Sequence, residues 1–100
     1  MRKIIFVVHT PLYTSVGCFK DDEDRAIGGD VTYYHPREVI HQCYLRAWNL
    51  GHEYFGVENA DECHTHPNAG NTYNRHGRAK VCVNGTGGAW MISVYRISES

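Results

Sequence analysis

Long apolar runs are missing from this 100-residue chain, and no stretch approaches the roughly 20 residues that span a membrane. Charge of one sign is missing too. Ten Lys/Arg stand against eleven Asp/Glu, the net charge is −1, and the basic residues are scattered. That balance gives no reason to expect nucleic acid as a partner. Cysteine is sparse: Cys18, Cys43, Cys63 and Cys82 contain no C-x-x-C pair, which speaks against a zinc ribbon or a thioredoxin-like site. Repeats, low-complexity tracts and linker-like stretches are absent, so residues 1–100 read as one domain. No P-loop, no Gly-x-Gly-x-x-Gly and no nucleophile-elbow serine occurs. A glycosidase would need two carboxylates across a cleft, for which so small a domain has little room. The expectation is therefore a protein that is not an enzyme.

Four widely spread cysteines in a short chain do indicate two disulfides and an oxidising, extracellular setting. A domain of this size buries only about two-thirds of its surface on folding, so covalent staples matter to it. The N-terminal Met1-Arg2-Lys3 is basic. The apolar run after it has only five residues, short of the roughly seven of a signal-peptide h-region, and no small-x-small site follows. Lys3–His9 is predicted as a strand. Residues 17–30 are acidic and turn-rich, and Val31–Tyr34 is a short strand. Pro36 opens one clear helix, with Glu38 in its first turn. Val39, Ile40, Cys43, Tyr44, Ala47 and Leu50 make its apolar face, and Gly51 its C-cap. Glu53–Glu58, Lys80–Val83 and Trp90–Ile97 are predicted strands, and residues 64–79 a long polar surface loop. The fold class expected is α+β, one amphipathic helix packed on a small, twisted, mainly antiparallel sheet.

An ordered set of local signatures runs along the chain. Gly17-Cys18-Phe19-Lys20-Asp21 and Asp24-Arg25-Ala26-Ile27 precede the helix carrying Cys43. Tyr54-Phe55-Gly56-Val57-Glu58, Glu62-Cys63, the Cys82 segment, Gly87-Gly88-Ala89-Trp90 and Val94-Tyr95 follow. Over roughly residues 16–97 this order resembles the WSC domain and the short secreted lectin-like domains of invertebrates. WSC domains usually carry twice as many cysteines. Ala47, Thr65 and Thr86 stand where further cysteines are common in the family. Beside that resemblance, the four cysteines present are expected to pair as Cys18–Cys82, tying the two ends, and Cys43–Cys63, pinning helix to sheet. The resemblance implies an extracellular carbohydrate-binding or adhesion module with glycans or glycoproteins as partners.

Sugar binding calls for an aromatic face and planar polar groups. The segment 58–78 is rich in both, and Glu58, Asn59, Asp61, His64, His66, Asn71, Tyr73 and Arg75 are the candidate sugar contacts, with Tyr73 as the stacking ring. Trp90 and Tyr95 are assigned to the core. The acidic run supplies Asp21, Asp22 and Asp24 as candidate calcium ligands, although it lacks EF-hand spacing, and a solvated loop explains it equally simply. His64 and His66 at i, i+2 on a strand, with His76, could chelate zinc; exposed polar residues are the plainer alternative. Asn84-Gly85-Thr86 is an N-glycosylation sequon. The leading expectation is a secreted lectin-like module. Because single sugar sites bind weakly, it is expected to act as a homo-oligomer. A protein-binding adhesion, matrix or toxin-like module is the rival, and a metal-dependent enzyme the third reading.

Overall fold

The structure is a computed structural model, and it describes residues 12–98. The predicted strand Lys3–His9 lies outside them. The described chain builds five strands and two helices. In order these are β1 (Tyr13–Lys20), β2 (Val31–Tyr33), α1 (Val39–Leu50), β3 (Tyr54–Glu58), β4 (Glu62–Thr65), α2 (Ala69–Thr72) and β5 (Met91–Ile97). The strands form one sheet in the order β1-β5-β3-β4-β2, every neighbouring pair antiparallel. This is an α+β fold with two disulfides, Cys18–Cys82 and Cys43–Cys63.

The period-two alternation of the strands divides the interior between the two faces of the sheet. Phe55 and Val57 of β3, Cys63 of β4 and Tyr95 of β5 face α1, whose Val39, Cys43, Tyr44 and Ala47 are buried against them. Tyr13 joins this cluster edge-on to Phe55 and Tyr95, at ring distances of 5.5 and 5.7 Å. The Cys43–Cys63 bridge crosses the same layer. α1 ends as its sequence suggests: Gly51 takes a left-handed φ of 77°, and His52 N–H reaches back to the Ala47 carbonyl at 2.8 Å. On the other face Phe19, Ala26, Ile27, Ala69, Ile92 and Val94 form a second cluster, flanked by Tyr54 and Tyr73. Gly56 of β3 is required there, because a Cβ would collide with the Ile92 side chain.

Several expectations are corrected. The stretch Gly17–Lys20 is not turn but the end of β1, which carries a bulge between Ser15 and Gly17 where Gly17 adopts a φ of 143°. The helix begins at Val39 rather than Pro36; residues 36–38 form a turn. Residues 64 and 65 belong to β4 and are buried, and α2 interrupts the predicted 64–79 loop. Lys80–Val83 is not a strand. The pairing with β1 is made earlier, by Gly77 and Ala79 and the Phe19–Arg78 bridge, and the chain then turns through a 3-10 segment at Val83–Gly85. Val81 and Val83, 63% and 58% exposed, have no strand beside them to pack against. Trp90 is not core: it precedes β5 in a turn and is 51% exposed. Tyr95, by contrast, is buried, its hydroxyl donating to the Gly85 carbonyl at 2.6 Å.

Candidate functional site

The alternation that points Phe55 and Val57 at the helix points Glu58 at the opposite face, beneath the loop that follows β1. Asp21 leads that loop and folds it. Its carboxylate accepts hydrogen bonds from the Asp22 and Ala26 amides, at 2.9 and 2.8 Å, and from the Arg25 guanidinium at 2.8 Å. Its own amide donates to the Trp90 carbonyl at 3.0 Å, which ties the loop to the turn before β5. Arg25 therefore stands at a junction. Its guanidinium lies 3.6 Å from Glu58 Oε2 and 5.1 Å from the centre of the Trp90 ring.

Trp90 is held by unusual backbone. Gly88 and Met91 exchange both amide–carbonyl hydrogen bonds, at 3.1 Å, leaving Ala89 and Trp90 as a two-residue turn. Trp90 takes a φ of 58°, which a bulky side chain adopts at a cost of about 1–3 kcal/mol. Gly87, at a φ of 75°, is needed beside it, since a Cβ there would meet the Met91 and Val57 carbonyls. The β3–β4 turn supplies the facing wall, with Asn59 and Ala60 also at positive φ.

Between these turns lies a cavity of about 190 Å³ lined by Arg25, Glu58, Asn59, Glu62, Ala89 and Trp90. A wider hollow of about 560 Å³, formed by Asp21, Asp22, Glu23 and Asp24, adjoins the same tryptophan. Trp90 is thus shared by both, and the two together make an acidic groove around one exposed indole. Each is open rather than a deep cleft of the kind that encloses a reacting substrate.

Glu58 is the most perturbed group at the site. It is 3% exposed, and its Oε1 has no hydrogen-bond partner. Burial, followed by its contact with Asp21, pushes its pKa up to about 9, with Glu62 adding repulsion and Arg25 opposing the shift. Glu62 stands directly opposite it in the β3–β4 register. Burial also pushes Asp21 upward, but the hydrogen bonds it accepts from Glu58, the two amides and Arg25 outweigh that, and its pKa is lowered. The two shifts describe a single arrangement, a neutral Glu58 carboxyl donating to an ionised Asp21.

Of the eight candidate sugar contacts, Glu58 and Asn59 line the cavity. His64 is buried beneath it, 3.0 Å from Glu62 and 3.9 Å from Glu58. Tyr73 is no free stacking platform: its ring is packed edge-on to Phe19 at 5.0 Å and stacked on Tyr54 at 5.4 Å. Asn71 bonds Asn68, His66 accepts the Asn68 amide, and Arg75 pairs with Asp24 at 3.0 Å. Asp61 gives its carbonyl to the Tyr34 amide. Trp90 and Arg25, which line the same cavity, are not among the eight candidates. The Gly-Gly-Ala-Trp run before a β-branched strand is the signal that places Trp90 in a turn rather than in the strand.

Asp21, Asp22 and Asp24 do not converge. Asp21 turns inward, Asp22 faces His76 at 3.2 Å, and Asp24 faces Arg75. Nor do His64, His66 and His76 gather. Among the described residues the group with metal-ligand spacing is Asp21, Glu58 and His64, each offering one atom within 4.8 Å of the others. The Arg25 guanidinium already stands against two of these carboxylates, where a cation would sit. No protein-family model matches the chain, and no curated protein matches it.

Proposed function

We propose that this chain is a non-catalytic carbohydrate-binding module whose ligand lies against Trp90. The observation that carries the reading is the exposed indole itself. An apolar ring held outward on costly backbone, with Arg25, Asn59 and Glu62 around it, offers a stacking face for a pyranose and planar polar groups for its hydroxyls. The small cavity is of the size of a single ring, and such a site binds at near-millimolar strength, about 4 kcal/mol. Useful binding then comes from several copies acting together, as a homo-oligomer or an array on a glycan or glycoprotein surface. Two disulfides support an extracellular setting, and no helix among the described residues is long and apolar enough to cross a membrane.

Glycan-array binding followed by calorimetric titration, with and without chelator, tests the reading. Trp90→Ala is expected to abolish binding while the protein stays folded. Loss of binding in chelator would assign calcium a part. Failure to bind any glycan would refute the proposal.

A second reading, a protein-binding adhesion or matrix module, draws on the exposed apolar side chains of α1: Leu45, Trp48 and Leu50, the last at its C-terminal end, where the predicted apolar face runs out of sheet to cover it. Binding to a glycoprotein that survives excess free sugar would favour it.

A further inference from the structure

The sequon Asn84-Gly85-Thr86 has no part in the groove around Trp90, and the fold gives it a setting of its own. It covers the end of the 3-10 turn Val83–Gly85 and the residue after it. Three attachments hold that turn in place. Cys82, just before it, is bridged to Cys18 of β1. The Thr86 amide and hydroxyl both donate to the Val83 carbonyl at 2.9 Å. The Tyr95 hydroxyl donates to the Gly85 carbonyl, and Ile40 of α1 stands beside the same glycine. The turn therefore rests on the helix side of the sheet, where Tyr95 and Ile40 pack. Within it Asn84 is exposed at a left-handed φ of 51°, and its side chain makes no hydrogen bond among the described residues. A left-handed position suits asparagine better than most residues, which accounts for the residue type but not for its surroundings.

Those surroundings are apolar. Cys82 is extended, with φ −112° and ψ 124°. Side chains on either side of an extended residue project together, away from its own. Val81 and Val83 therefore form one small patch facing away from the sulfur that reaches Cys18, and they are 63% and 58% exposed. The fold leaves this patch bare, directly before an exposed carboxamide. Covering it with the C–H face of a sugar ring is favourable, because apolar surface leaves water.

We propose that Asn84 is an N-glycosylation site whose first N-acetylglucosamine lies over Val81 and Val83. The proposal rests on the extracellular reading and is independent of carbohydrate binding at Trp90. The acceptor pattern is complete, with Thr86 two residues on and glycine rather than proline between. The donor is an oligosaccharide carried on a lipid diphosphate, transferred by a secretory-pathway enzyme. Asn84 Nδ2 forms a bond to C1 of the terminal N-acetylglucosamine. The bond from C1 to the diphosphate oxygen breaks, the lipid diphosphate leaves with the electron pair, and Nδ2 gives up one proton to a base. The product is a bulky, solubilising group on a turn that the bridge and the Tyr95 hydroxyl keep fixed.

The test is expression of the full chain behind a cleavable leader in cultured eukaryotic cells. The secreted protein is treated with an N-glycan-releasing amidase in heavy-oxygen water and read by mass spectrometry. The parent is expected to lose its extra mass on treatment and to carry a labelled aspartate at position 84. Thr86→Ser, which keeps the acceptor pattern, is expected to behave alike. Asn84→Asp, which keeps the shape and tolerates left-handed backbone, is expected to be secreted with complete loss of the extra mass. After trimming to one sugar, nuclear Overhauser contacts are expected between N-acetylglucosamine protons and the Val81 or Val83 methyls. A secreted, disulfide-bonded parent with unmodified Asn84 would overturn the proposal and leave the extracellular reading standing. A sugar on Asn84 without contact to either valine would overturn the covering role. Retention in the cell with free thiols would overturn the extracellular reading and the proposal with it.

Discussion

Replacing Glu58 by glutamine should stabilise this protein, and increasingly so as the pH rises. The folded state holds Glu58 at a pKa of about 9, against an ordinary 4.5. The shift is upward, so the stability it carries is fully present below the ordinary value. It is lost progressively as the pH climbs towards 9, where the folded protein too must give up the proton. Over the gap of about 4.5 units (9 − 4.5), at ~1.4 kcal/mol per unit, the whole swing reaches roughly 6 kcal/mol, of which roughly 3 has been spent by neutral pH. Those figures are upper bounds, because a strained site relaxes or admits water. Glutamine at 58 never ionises, and its amide donates to Asp21 as the protonated carboxyl does. Glu58→Gln and the parent should therefore unfold alike near pH 5 in urea titrations. Near pH 7 and pH 9 the variant should lead by a margin that grows to a few kcal/mol. Parallel stability curves across that range would refute the assignment of a neutral, donating Glu58.

Asp21 should behave in the opposite sense. Its lowered pKa means stability that is present above the ordinary 3.8 and lost as the pH falls through it, so Asp21→Asn should remove part of the acid-induced unfolding seen by circular dichroism while weakening the fold at neutral pH by about 1–3 kcal/mol. Trp90→Gly should abolish glycan binding yet leave the melting temperature unchanged or raised by a few degrees, because glycine adopts the 58° φ freely; a large fall in melting temperature would show that the indole is needed for packing. The double variant Cys43→Ala/Cys63→Ala, which opens a bridge spanning 20 residues of sequence, should cost about 3 kcal/mol by denaturant titration.

The helix was legible because its apolar residues recur at three- and four-residue spacing and Gly51 offers the one left-handed cap it needs. The antiparallel sheet was legible where β-branched and aromatic residues run together, as in β3 and β5. β1 was hidden because Gly17, Lys20 and the following acids carry turn chemistry; the glycine is there for a bulge inside a strand. β4 was hidden because His64 and Thr65 are polar residues buried by tertiary contacts, Thr65 through its hydroxyl bond to the Tyr54 carbonyl. The site was half visible. Glu58 and Asn59 sit at a strand end that the sequence marks. Trp90 was assigned inward as part of the predicted closing strand, and only the Gly88–Met91 pairing shows that the backbone turns it out. Tyr73 had the right chemistry for stacking but is consumed by two other aromatic rings.

Alternation along β3 has a consequence for how such a molecule changes over time. Phe55 and Val57 answer to the helix and its bridge, whereas Tyr54, Gly56 and Glu58 answer to the loop and turns on the other side. The groove residues Arg25, Asn59, Glu62, Ala89 and Trp90 belong to neither buried cluster. Substitutions among them can retune what the groove accepts while every contact of the helix layer stays as it is. Both faces of the sheet carry a buried cluster that the fold needs, and the freedom to diversify is confined to the groove rim above the second one.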